Sequence, residues 1–193
     1  MHLLLIYANP SSKSLSCSLK ASFLQGAKKA GHQVEVIDLY AEQFNPVLSE
    51  AEAKGKIGEA LKNHQAMIRQ AHYLVFIFPI WWFRAPAILE GWIDKIFTSG
   101  FAFKYKPITR TFGIPIGLLS DKKAVVITPY GAPGWAIKFF YGNLAWRRFK
   151  RGVLHFFGIK KIFHFPCYSA PYVSKERKQK WLKEVERLAQ ELK

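Results

Sequence analysis

The sequence predicts an α/β protein: a doubly wound, five-stranded parallel sheet in the order 2-1-3-4-5, with helices on both faces. Three observations predict it. Five short apolar runs, too brief for helices and rich in β-branched and aromatic residues, read as strands buried on two faces. Between them lie segments whose apolar residues recur at helical spacing. Polar, Gly- or Pro-bearing turns follow the strands. With 193 residues, 50% of them hydrophobic and 22% charged, the chain suits one domain over residues 1–193 that can bury a real core.

Leu3 to Tyr7 form the first strand, and Asn9-Pro10-Ser11-Ser12-Lys13-Ser14-Leu15-Ser16 leads into an amphipathic helix marked by Leu15, Leu19, Phe23 and Ala27. Ser14 or Ser16 can cap that helix, and its free first-turn amides with the positive end of the dipole offer a seat for phosphate; a plain helix start uses the same residues. Gly31 ends it. Val34 to Leu39 is the second strand, with a right-handed crossover expected. A long irregular loop and a polar segment from Ser49 to Gly58 precede a helix around Ile57 to Gln70. Leu74 to Phe78 is the central strand, and Pro79, lacking an N–H, ends its ladder.

Trp81-Trp82-Phe83 follow, three aromatics in a loop, which read as the wall of a site for a flat ligand or, alternatively, as core or dimer contact. After Pro86, the residues Ile88, Leu89, Trp92, Ile93 and Ile96 make a helical stripe facing the sheet or a partner subunit. Residues 101–120 read as a loop or small hairpin. Ala124 to Thr128 is the fourth strand, ending in the turn-rich Pro129-Tyr130-Gly131-Ala132-Pro133-Gly134. Trp135 to Phe157 contains a helix with a basic side, Ile159 to Phe165 is the fifth strand, and Ser174 caps a terminal helix striped by Trp181, Leu182, Val185, Leu188 and Leu192.

In this strand order the switch point lies between strands 1 and 3, the two strands whose loops suit phosphate and flat apolar contact. A mononucleotide with a planar ring fits both. The dinucleotide signature GxGxxG is absent after strand 1, which argues against a Rossmann NAD domain. Residues 1–97 carry 10 Lys and Arg against 8 Asp and Glu, whereas residues 98–193 carry 19 against 5, so most of the net charge of +16 belongs to the second half. Such a field favours anionic partners: phosphorylated cofactors, an anionic membrane surface or nucleic acid. No nucleic-acid motif accompanies the charge, and no nucleic-acid partner is expected. Two distant cysteines exclude a disulfide framework or CxxC pair, no metal site is expected, and with no basic leader or ~18-residue apolar run the cytoplasm is the expected compartment.

Phe78-Pro79-Ile80-Trp81-Trp82-Phe83-Arg84-Ala85-Pro86-Ala87-Ile88-Leu89-Glu90-Gly91-Trp92-Ile93-Asp94-Lys95-Ile96-Phe97, then Gly100-Phe101-Ala102-Phe103, resemble a motif of the flavodoxin-like NAD(P)H:quinone oxidoreductases, a family that includes the bacterial modulators of drug activity and potassium-efflux ancillary proteins. Asp38-Leu39-Tyr40 with Phe44-Asn45-Pro46 resemble a second family motif. The resemblance implies FMN, or alternatively FAD, with NAD(P)H as co-substrate, a quinone or similar flat acceptor, and a homodimer sharing its active sites. It places Asn9, Ser14, Leu15 and Ser16 at the flavin phosphate and ribityl chain, and Pro79, Ile80, Trp81, Trp82 and Phe83 along the ring. Thr128, Pro129, Tyr130 and Gly131 fall at the third flavin loop, where Pro129 withholds an amide.

The Tyr and His of the family's mammalian members fall on Trp135 and Tyr141, counted back from Gly142-Asn143. Trp135 has no acid to offer, so Tyr141 is the proton-capable candidate and the cofactor carries most of the chemistry. Both can equally be aromatic wall. The alternative function the resemblance implies is that of a regulatory ancillary subunit, docking on a membrane potassium-efflux system through the basic second half.

Overall fold

The structure is a computed structural model describing residues 1–193. Strand β1 (His2–Tyr7) is followed by α1 (Leu15–Lys29), β2 (Gln33–Asp38), a single turn α2 (Glu50–Ala53), α3 (Glu59–Gln70), β3 (Tyr73–Ile77) and α4 (Ala87–Ile96). Then come β4 (Phe103–Pro107), β5 (Gly113–Gly117), β6 (Lys123–Pro129), α5 (Gly134–Phe139) and α6 (Leu144–Arg148). A π-helical segment (Phe149–His155), β7 (Lys161–Cys167) and α7 (Lys175–Gln190) complete the chain. The sheet runs β2-β1-β3-β6-β7, every pair parallel. This is the predicted order.

The apolar runs are explained by two buried faces. Leu4 and Ile6 of β1 enter a core with Phe76, Phe78, Leu89, Trp92 and Phe149, under α3, α4 and the π-helical segment. Leu3, Leu5 and Tyr7 point the other way, into a core with Leu19 and Phe23 of α1 and Trp181 and Val185 of α7. Each fully buried Leu or Ile contributes about 1.5–3 kcal/mol of transfer free energy, so a one-residue register slip, which exchanges the faces, costs little here in polarity but much in shape.

The structure decides between two pairs of alternatives and departs from expectation in two further places. The stripe on α4 packs inside its own chain: Leu89, Trp92 and Ile96 are fully buried, and Trp92 Nε1 donates to His64 Nδ1 of α3 at 3.1 Å. Ile88 alone of the stripe stays partly exposed, so the stripe faces the core. Residues 101–120 hold a regular antiparallel hairpin, β4 with β5. The single helix expected within Trp135–Phe157 is broken, because Gly142 (φ 53°) and Asn143 (φ 52°) both take left-handed angles between α5 and α6. Finally, the fourth strand of the sheet runs one residue further than expected, through Pro129, which pairs with Cys167 instead of opening the loop.

Candidate functional site

Three loops leave the carboxyl ends of β1, β3 and β6, and backbone bonds tie them side by side. Ala8 N donates to Ile77 O (3.1 Å), Phe78 N to Ile127 O (3.2 Å) and Ile80 N to Pro129 O (2.9 Å). Their geometry is therefore set by the sheet.

The first loop is folded on its own side chains. Asn9 Oδ1 accepts from Ser11 N (2.8 Å), Asn9 Nδ2 donates to Ser16 Oγ (3.3 Å), and Ser14 Oγ donates to Ser11 O (2.9 Å) while accepting from Cys17 N (3.2 Å). Ser14 is thus the N-cap of α1. The cap satisfies one first-turn amide; those of Leu15 and Ser16 have no partner within the chain. Beside them is a cavity of about 290 Å³ bordered by Tyr7, Asn9, Ser12, Cys17, Lys20 and Asp38. Lys20 Nζ bonds Asp38 Oδ2 (2.8 Å) and lies 4.0 Å from the Tyr7 ring centre. The Tyr7 hydroxyl is buried without a partner, and burial pushes its pKa up to about 12. Amides, hydroxyls and one lysine are the donors a phosphate and a polyol chain require. Leu15 contributes its amide; its side chain packs toward the α1–α7 core.

The second loop is a tight reversal. Trp81 and Arg84 exchange two backbone bonds of 3.0 Å, and the residues between them, Trp82 (φ 50°) and Phe83 (φ 57°), are both left-handed. That geometry matches a two-residue turn of the type that normally takes Asn-Gly. Trp82 is 90% exposed and Trp81 42%. Phe83 is held from below by the small cluster of Tyr130, Ile137 and Ala145, and its ring meets that of Tyr141 at 4.6 Å. Pro79 and Ile80 connect this turn to the sheet.

The third loop offers less than expected. Thr128 is buried and bonds His164 Nε2 through Oγ1 (2.8 Å), while the Tyr130 side chain is buried against Tyr168 with its hydroxyl unpartnered. Tyr130 N is engaged by Cys167 O, its carbonyl by Ala170 N, and Pro129 O by Ile80 N. Gly131 is exposed and its amide is unengaged. Trp135 (61% exposed) and Tyr141 (51%) stand at the rim, Tyr141 against Phe83 and Trp135 against Phe140 at 5.8 Å. The structure therefore gathers the first and second loops, Gly131 and Tyr141, and turns the Thr128 and Tyr130 side chains away.

Two supports carry no signal in the sequence. Glu90 accepts from Ala85 N (3.1 Å) and from both terminal nitrogens of Arg148 (2.6 and 2.7 Å), so it clamps the end of the aromatic loop to α6 across 58 residues. His164 lies stacked on Trp146 at 3.7 Å while holding Thr128, and burial lowers its pKa to about 4, leaving it neutral. A glutamate and an arginine so far apart announce no pairing. A cavity of about 720 Å³ between α2, α4 and the π-helical segment is bordered by Glu52, Asp94, Phe97 and Phe156, outside the three loops.

A parallel sheet of this order with a hydroxyl-lined cap and an aromatic turn at its switch point defines a flavodoxin-like protein. The family Flavodoxin_2, described as a flavodoxin-like fold, matches residues 1–192, and the chain belongs to it. Within it the chain is an oxidoreductase, and the proteins it is similar to include NAD(P)H:quinone oxidoreductases. NAD(P)H dehydrogenase [quinone] 1 of Cavia porcellus is 27% identical over 96% of this chain and 76% of its own length. The solved NAD(P)H:quinone oxidoreductase from Methanothermobacter marburgensis is 27% identical with a TM-score of 0.87, covering 100% of this chain and 99% of that one. Smu.1420 from Streptococcus mutans UA159 is 30% identical with a TM-score of 0.86 and full coverage of both chains.

Proposed function

We propose that residues 1–193 form a single flavin-binding domain that passes two electrons from NAD(P)H to a quinone or similar flat acceptor. FMN is the cofactor that fits best, with FAD as the alternative. When bound, the flavin accepts a hydride and returns it to the second substrate. The chain's residues bind and orient. Ser14, Asn9 and the free amides of Leu15 and Ser16 take the phosphate and ribityl chain; Pro79 to Phe83 and the amide of Gly131 line the ring. Tyr141, fixed by Phe83, can donate its hydroxyl proton in a hydrogen bond to charge developing at the rim, with Trp135 as wall. The functional unit is a homodimer, joined through the β4–β5 hairpin.

The observation that carries this reading is the placing of a phosphate-suited cap and a left-handed Trp-Phe turn on adjacent loops at the sheet's switch point. Titration with FMN and FAD tests it. The expected result is a shifted flavin absorbance and a raised melting temperature with at least one of them. Stacking on one aromatic side chain amounts to roughly 1–3 kcal/mol, so Trp82→Ala should weaken the flavin about tenfold or more. Trp181→Ala, in the core under α7, should lower the melting temperature and leave flavin affinity nearly unchanged. If neither flavin alters absorbance or melting at saturation, the reading fails.

A further inference from the structure

The surface beside the rim has a character that the proposed chemistry does not use. Trp135, Phe139, Phe140, Tyr141 and Leu144 are 61%, 83%, 72%, 51% and 53% exposed, all within α5, α6 and the break between them. Trp135 and Phe139 are four apart on α5, and the left-handed pair Gly142-Asn143 folds α6 back so that Asn143 N reaches Ile137 O at 2.8 Å, which brings Leu144 to the same end. A cluster of this size is unusual on a surface with nothing against it. Its setting is strongly positive. From Lys138 to Arg151, across α5, α6 and the start of the π-helical segment, the chain has five Lys and Arg and no Asp or Glu. Lys138, Arg147 and Arg151 are exposed, and of the arginines here Arg148 is the one engaged, by Glu90.

We propose that this face is a docking surface for an anionic lipid membrane, with Phe139, Phe140 and Leu144 entering the acyl boundary and Lys138, Arg147 and Arg151 on the headgroups. Charge complementarity selects this occupant. A second copy, whether it presents this same face or its β4–β5 hairpin with Lys104, Lys106 and Arg110, would set cation against cation, with no carboxylate from either stretch to answer it. A nucleic acid satisfies the lysines and arginines but gives Phe139, Phe140 and Leu144 no continuous apolar phase. An interfacial site pairs aromatic and aliphatic tips with a basic surround, and no helix here is long and apolar enough to cross the membrane instead. The inference stands apart from the flavin reading, since none of these six side chains belongs to the flavin loops.

Flotation of the full chain with phosphatidylglycerol-containing vesicles, against vesicles of phosphatidylcholine alone, tests it. Binding should require the anionic lipid and fall at least tenfold between 50 and 500 mM salt. Phe139→Ser with Phe140→Ser, and separately Lys138→Glu with Arg147→Glu, should each reduce it tenfold or more. These side chains are exposed, and circular dichroism should find both variants folded. No flotation with anionic vesicles, or equal flotation of the serine variant, overturns the proposal. So does loss of self-association in the serine variant, which makes the face a contact between copies, or binding to a homopolymeric RNA that the same two serines weaken more than vesicle binding.

Discussion

Trp82 and Phe83 hold backbone angles that cost a bulky residue on the order of 1–3 kcal/mol each, and the turn persists because its surroundings over-determine it. The Trp81–Arg84 bonds close it, Glu90 holds Ala85, and the Tyr130 cluster grips Phe83. That three aromatics stand in a loop after β3 was legible; the left-handed pair was not, since nothing in Trp-Phe suggests a turn that favours Asn-Gly. The first loop was legible because a serine cap leaves a local pattern. The third was not, because whether Thr128 and Tyr130 face the crevice depends on His164 and Tyr168, from a strand and a loop about 35 residues away. His164 gives a prediction with a definite sign. Burial lowers its pKa from 6.5 to about 4, so the unfolded chain takes up a proton first, and stability is full above about pH 7 and erodes as pH falls from 6.5 toward 4. The loss is on the order of 3 kcal/mol by the pKa difference. Urea melts of wild type and His164→Gln should converge as pH drops from 7.5 to 4.5; parallel pH profiles would show that His164 does not titrate differently on folding.

Among the elements, the five parallel strands were legible because burial on both faces makes each a continuous apolar run. The β4–β5 hairpin was read only as loop or hairpin, its strands being mostly exposed and interrupted by Pro107 and Pro115. The break at Gly142-Asn143 escaped because flanking apolar residues keep the helical spacing. Gly91 shows a different kind of constraint. The carbonyl of Pro46 lies against α4 where a Cβ on Gly91 would be, so the glycine is required by close approach and not by its backbone angle. The same segment is fastened again at Glu52, which accepts from Ser49 in a capping box and pairs with Lys95 at 3.0 Å. Those hydrogen bonds from Ser49, then Lys95, lower the Glu52 pKa to about 2, so this clasp yields only as pH falls toward that value. Gly91→Ala should destabilise the protein by about 1–3 kcal/mol, as overpacking does, and expose residues 44–53 to protease. Unchanged denaturation and proteolysis would mean that Pro46 moves aside freely.

Charge and apolar exposure divide the whole molecule into surfaces with opposite requirements. The dimer was expected from the α4 stripe, but that stripe is core; with the α5–α6 face assigned to lipid, Tyr105, Ile108, Phe112 and Ile114 of the hairpin, 60%, 55%, 59% and 42% exposed, are a group of apolar side chains free to meet a second copy. Two chains of +16 repel as they approach, and the repulsion between exposed charges is screened as the Debye length falls from about 10 Å at 0.1 M salt to about 3 Å at 1 M. Burying the hairpin's apolar area is insensitive to that screening. Association should therefore tighten with salt, while attachment of the α5–α6 face to anionic lipid loosens. Sedimentation velocity at micromolar concentration, from 50 mM to 1 M salt, should find the dimer fraction rising, and Ile108→Ser with Phe112→Ser should leave a folded monomer throughout. A wild-type monomer at every salt concentration would remove the dimer. A dimer that instead dissociates as salt rises would mean that ion pairs join the copies, and would shift the contact from the hairpin to the acidic side chains of the first half.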